Sequence, residues 1–137
     1  MARDMGERDQ ISQIAASLSR ILSVRGATEG AAAFASLSAD RAPAESVAAQ
    51  ALWRAARARV LANGGDSQEA ERLAREAIQL LPVEMLNLGG DLRVNLAEVL
   101  LAAGQRVTAL EAIGEAIELY ERKGNQAAAV RARSLAR

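Results

Sequence analysis

The side chains in this chain that could do chemistry are almost all carboxylates and guanidiniums. There are 17 basic and 17 acidic residues, with no histidine and no cysteine. A chain without imidazole or thiol has no thiol nucleophile, no Ser-His-Asp triad, none of the common zinc sites and no disulfide framework. Glu111, Glu115 and Glu118 recur at i, i+4 and i+7, which puts three carboxylates on one face of a helix. General acid–base work needs one carboxyl group with a displaced pKa in a shielded site. A solvated helix face supplies neither, so this trio is expected to be a surface feature, with no metal bound. The glycine pairs Gly64-Gly65 and Gly89-Gly90 lack the downstream Gly-Lys-Ser/Thr of a phosphate loop, and Lys123 precedes Gly124 instead of following it. The expectation is no catalytic residue and no cofactor.

What remains is recognition chemistry. Lys123 is the single lysine, and the other 16 cations are arginines, which favour bidentate contact with carboxylate or phosphate. Arg54 and Arg57, three residues apart, share a helix face, whereas Arg59 points elsewhere. The run is expected to be a solvated face, the alternative being contact with an acidic peptide or a phosphate. Trp53 is expected to pack in the core or between helices rather than to stack on a ligand. Nucleic-acid binders carry a basic excess that displaces counterions, and the formal net charge here is zero, so no nucleic-acid partner is expected. Residues 1–10 mix Arg3, Asp4, Glu7, Arg8 and Asp9 without an apolar stretch, so they do not read as a signal peptide. No apolar run approaches the ~18 residues of a membrane span. A cytoplasmic protein with no membrane partner is the expectation.

The elements that must position these groups are helices. Half the residues are apolar, yet the aromatics are only Phe34, Trp53 and Tyr120, while alanine occurs 32 times. Alanine has the highest helix propensity and adds little to a strand face, which argues for closely spaced helices. A repeat of 39 residues is visible in Gly26, Gly65 and Gly104, in Ala31, Ala70 and Ala109, and in Leu22, Leu61 and Leu100. Small residues recur at the same offset in Ser19, Ala58 and Ala97 and in Ser38, Ala77 and Ala116, and Pro43 is matched by Pro82. Each unit reads as a helix ended by glycine, then a second helix of about four turns stopped by proline. The predicted helices include 8–25, 28–40, 44–63, one from Asp66 stopped by Pro82, 106–122 and a last helix, 126–136, capped by Asn125. Asp66 with Glu69 reads as a capping box, and Glu71 to Arg75 and Glu118 to Arg122 as i,i+4 pairs. Gly89-Gly90 interrupts the pattern of Met85, Leu88, Leu92, Leu96 and Val99, predicting a kink or a helix that begins only at Asp91. The whole of 1–137 reads as one helical-repeat domain, with repeats at about 11–43, 44–82 and 83–122 and a capping helix at about 125–136. Residues 1–10 fall outside the repeats, and their order is open at this level.

The small columns allow helices to approach to about 8 Å, the close end of the usual range. Leu61, Gly65, Ala70, Ala77 and Pro82, followed by Leu96, Ala97, Leu100, Gly104, Ala109 and Ala116, resemble tetratricopeptide repeats, here with a period of 39 rather than 34. Residues 51–65, 69–78, 91–104 and 116–129 also resemble the C-terminal helical repeats of large bacterial multidomain cyclases and ATPase-type regulators, without their catalytic parts. The resemblance implies an all-α, right-handed superhelix of three helical hairpins plus a C-terminal capping helix. It implies a non-catalytic scaffolding module of bacterial signalling or regulation that binds a peptide or protein in a concave groove. Carried over by position, the groove residues are Arg20, with Gln13 and Ser23, in the first unit. They are Leu52, Ala55, Arg59 and Asn63 in the second, and Val94, Asn95, Glu98 and Leu101 in the third. Asparagine at the place of Asn95 often holds peptide backbone in that family. The groove is expected to carry arginine on one side and Glu98 on the other. The capping helix is expected to turn Arg131 and Arg133 outward. The alternative function is homo-oligomerisation through the exposed end faces.

Overall fold

The structure is a computed structural model that describes the backbone of residues 2–137 and the side chains of residues 4–137. Among the described residues all regular structure is helical: α1 (Ala2–Val24), α2 (Thr28–Arg41), α3 (Val47–Asn63), α4 (Ser67–Leu80), α5 (Leu86–Ala102), α6 (Arg106–Lys123) and α7 (Gln126–Leu135).

The turn inside each helix pair is local chemistry repeated. Gly26, Gly65 and Gly104 have φ of 78°, 90° and 77°, in the left-handed region that costs an L side chain strain. The N–H of the residue after each glycine, Ala27, Asp66 and Gln105, reaches back to the carbonyl of Leu22, Leu61 and Leu100 at 2.9 Å. The glycine N–H bonds the carbonyl three residues back, at Ser23, Ala62 and Leu101. These two bonds form a Schellman motif, which satisfies carbonyls that a helix end leaves free. Gly124 (φ 83°) and Asn125 repeat it after α6. Asn125 then caps α7 by accepting from the Ala128 N–H. Asp66 accepts from the Glu69 N–H in the same way, but the Glu69 carboxylate turns to Arg72, so only half of the capping box forms. Glu71 and Arg75 pair at 2.8 Å, whereas Glu118 and Arg122 are not among the ion pairs of the described residues. Proline closes the second helices: α2 ends two residues before Pro43, and α4 two before Pro82.

Each helix packs on its successor, and in addition α1 packs on α3 and α3 on α5. The small columns lie at these contacts. Ser19, Ala58 and Ala97, Ala31, Ala70 and Ala109, and Ser38, Ala77 and Ala116 are all at most 1% exposed. In the first unit Ser19 and Ser38 stand where later units have alanine, and their hydroxyls and that of Ser12 each find a carbonyl across the helix pair. Ser12 donates to Ser38 O at 2.7 Å, Ser38 to Ser12 O at 2.8 Å and Ser19 to Ala31 O at 2.7 Å. The main core joins α3 to α7 around Leu100, Ile113 and Tyr120.

Two expectations change. The first helix does not begin near residue 8: it starts at Ala2, so residues 2–10 belong to its first turns. Two side chains tie those turns down, Arg8 donating to Asp40 O at 2.9 Å and Asp9 accepting from Ser46 at 2.5 Å. Nor does α5 wait for Asp91. It begins at Leu86 and runs through both glycines, Gly89 N–H bonding Met85 O at 2.8 Å. Gly90 is a socket for the Tyr120 ring: a Cβ there would stand 2.5 Å from Tyr120 Cε1.

Candidate functional site

The face shared by α1, α3 and α5, with α7 at one end, carries three adjoining cavities of about 120, 130 and 200 Å³. Arg59 and Glu98 both border the first, Arg20, Asp91 and Asn95 the second, and Arg20, Asp91, Glu98 and Tyr120 the third. The shared walls make them one furrow. A further hollow of about 500 Å³ lies at the start of α4, walled by Asp66, Gln68, Glu69 and Arg72. Glu69 and Arg72 pair there, and the hollow shares no wall residue with the furrow.

At the centre of the furrow is one repeat column. Arg20, Arg59 and Glu98 stand 39 residues apart, so stacking successive units sets them side by side. Arg59 Nη2 donates to Glu98 Oε1 at 2.8 Å, and Arg20 Nη2 lies 4.0 Å from the same oxygen. Glu98 therefore does not face the arginines from an opposite wall, as the residue order suggested; it is held between them. The Arg59 side chain is 11% exposed, and burial lowers its pKa, with Glu98 pulling it back up and Arg20 pushing it further down. Two guanidiniums share one carboxylate, so the cluster keeps one positive charge.

Asn95 sits beside the cluster and is 3% exposed, yet neither its Nδ2 nor its Oδ1 has a hydrogen-bond partner among the described residues. A buried polar atom without a partner costs about 1–3 kcal/mol, and Asn95 lines the cavity of about 130 Å³. Leu52 and Ala55 line the same cavity, Asn63 the first and Val94 the third. Asn63 donates to Ser23 Oγ at 2.6 Å, which closes one end of the furrow. Leu101 lines none of the three cavities, because its side chain packs against the main core. Gln13 is also outside them, its amide turned to the Asp9 carboxylate at 3.1 Å.

Sequence reasoning missed Asp91, Tyr120 and Arg131 as walls of the furrow. Tyr120 donates to Asp91 Oδ1 at 2.5 Å. Burial, that hydrogen bond and the Asp91 charge all push the Tyr120 pKa above its ordinary 10.0. Asp91 was within reach of the repeat, since Gln13, Leu52 and Asp91 form another column at the offset of 39. Arg131 is exposed, as expected of the capping helix, but it borders the third cavity rather than facing away. Trp53 stands apart from the furrow. Arg54 and Arg57 lie over its ring at 4.4 and 5.1 Å, and Arg54 is bound to Glu76 at 2.6 Å. Of Glu111, Glu115 and Glu118 on α6, Glu115 lies 3.6 Å from Arg93. No group of three metal-type ligands exists among the described residues, and no described helix is long and apolar enough to cross a membrane. No family model, curated protein or solved structure matches the chain.

Proposed function

We propose that the chain is a non-catalytic protein-interaction module and that a peptide segment of a partner lies along the furrow of α1, α3 and α5. Asn95 carries this reading. Its amide offers N–H donors on Nδ2 and an acceptor on Oδ1, which complement a backbone C=O and N–H. Leu52, Ala55 and Val94 supply apolar wall on either side, and the Arg20–Arg59–Glu98 cluster supplies one net positive charge for an acidic side chain or terminus. The packing of α1 on α3 and of α3 on α5 supports a tetratricopeptide-type right-handed superhelix as the architecture behind that groove. A regulatory or scaffolding segment of bacterial signalling, working in the cytoplasm, is the setting that goes with this reading.

The test is selection of peptides from a displayed random library on the wild-type chain, followed by calorimetric titration of the selected sequences. Asn95→Leu removes the paired donor and acceptor; Val83→Ser alters a residue that is 84% exposed and outside the furrow. The expected result is at least about tenfold weaker binding to Asn95→Leu, the loss of one to two hydrogen bonds, and unchanged binding to Val83→Ser. Equal binding to all three chains would place the peptide elsewhere and end the groove reading.

A further inference from the structure

Among the described residues, half of the exposed large apolar side chains belong to α1. Four of them, Ile11, Ile14, Leu18 and Ile21, are 37%, 59%, 37% and 48% exposed and follow one another at steps of three, four and three. That spacing forms a straight seam on a helix, the a/d pattern of a coiled coil. The opposite face of α1 is already used: Ser12, Ala15, Ala16 and Ser19 are buried, with Ser12 and Ser19 bonded to α2. The other exposed large apolar residues, such as Val83 and Val107, are scattered over several elements and form no such line.

The seam continues at both ends in charge. One step of four before Ile11 is Glu7, and one step of four after Ile21 is Arg25. Both are exposed, and Arg25 continues the helical turn, its N–H bonding Ile21 O at 3.2 Å. The order acid, four aliphatics, base is self-complementary when reversed. We propose that a second copy of this chain covers the seam, with the two α1 helices antiparallel about a two-fold axis. Ile11 then meets Ile21 of the other copy, Ile14 meets Leu18, and Glu7 meets Arg25, each pair occurring twice. A parallel pair would oppose like charges at both ends. An unrelated partner would need no match between the two ends of the seam itself, and this match is what favours a second copy. The paired stretch is about 27 Å long. One helix pair of that length lies at the low end of the about 1,200–2,000 Å² that stable interfaces bury, so a dissociation constant in the micromolar range is expected.

Sedimentation velocity of the full chain, from micromolar to near-millimolar concentration, should show the mass rise from 14.4 kDa to twice that and stop. Ile14→Glu should abolish the rise, with circular dichroism unchanged because Ile14 is 59% exposed and belongs to none of the core clusters. Glu7→Arg alone should weaken association about three- to tenfold, and adding Arg25→Glu should restore it. Because the chain has no cysteine, disulfide trapping reads the register directly: a mixture of Ile11→Cys and Ile21→Cys chains should cross-link, and Ile11→Cys chains alone should not. A constant monomer mass would overturn the proposal, as would a dimer that survives Ile14→Glu. So would cross-linking of Ile11→Cys to itself, the mark of parallel pairing, or mass growing past twofold, the mark of head-to-tail stacking. None of these outcomes bears on the furrow, which is tested by peptide binding.

Discussion

Gly90 and Gly114 are both glycines inside helices, and their surroundings separate them. Glycine in a helix interior costs about 1 kcal/mol relative to alanine. At Gly114 an added Cβ meets nothing within 4 Å, so Gly114→Ala should stabilise the fold by about 0.5–1 kcal/mol. At Gly90 the same carbon would overlap the Tyr120 ring, with three ring atoms within 2.9 Å. Overpacking of this kind costs about 1–3 kcal/mol, so Gly90→Ala should lower stability despite the gain in propensity. Denaturant melts of the two variants are expected to shift in opposite directions, and Gly90→Ala should be largely relieved in a Tyr120→Leu background. The same tyrosine sets an alkaline limit. Its folded pKa lies above the ordinary 10.0, first through burial and then through Asp91. The folded state therefore holds the phenol proton more tightly, and the stability this contributes is present below about pH 10 and lost as pH rises toward the folded value. Tyr120 is the single tyrosine and Lys123 the single lysine, so tyrosinate absorbance is a clean probe. The native midpoint should lie above that of the chain in denaturant, and Tyr120→Phe should flatten the decline in stability.

At the scale of the element, the turns between paired helices depend on one backbone conformation. Gly65 has φ of 90°, whereas its neighbour Gly64 has φ of −85°. A Cβ on Gly65 is strained by about 1–2 kcal/mol, while one on Gly64 meets only backbone oxygens at 3.6 Å, an ordinary contact. Gly65→Ala should lower the unfolding free energy by about that amount. Gly64→Ala should leave it unchanged or raise it by up to about 1 kcal/mol through the less flexible unfolded chain. Thermal melts of the adjacent substitutions test the Schellman turn without touching a packed side chain.

At the scale of the whole molecule, the helices are stacked so that each is covered by its neighbours, and the two ends are where cover runs out. At one end α7 closes the main core with Ala128, Ala129 and Ala132, and Arg133 pairs with Glu121 at 2.6 Å. Removing residues 125–137 should cost about 2–4 kcal/mol and increase binding of a hydrophobic dye, because the α5–α6 surface beneath it is apolar. At the other end α1 has no such cover. In a repeat stack stability is close to a sum over units and their contacts, so closure of the α1 face by a second copy should raise the unfolding midpoint with protein concentration. A midpoint that rises for the wild-type chain and stays fixed for Ile14→Glu is the expected thermal signature of that closure.

Much of this fold is written in short-range terms. The helix-ending glycines, the proline stops, the Asn125 cap and the small columns at 39 residues are legible because each depends on backbone preferences over a few residues. Of the eleven residues carried over to a groove by the resemblance, nine line the cavities of the furrow, and the column of Arg20, Arg59 and Glu98 follows from the offset of 39 alone. The start of α1 at Ala2 was not legible, because it is held by contacts from Arg8 to Asp40 and from Asp9 to Ser46, on elements distant in the chain. Gly89-Gly90 looked like a break because propensity is local, whereas the reason for Gly90 is a ring thirty residues further on. Leu101 and Val94 are both aliphatic residues on α5 and both pack with the main core, and only the arrangement of neighbouring helices lets Val94 also border the furrow. The same holds for Asn95 and Glu98. Residue type and spacing put both on one helix, but only the packed neighbours decided that the amide is buried without a partner while the carboxylate is held between two arginines.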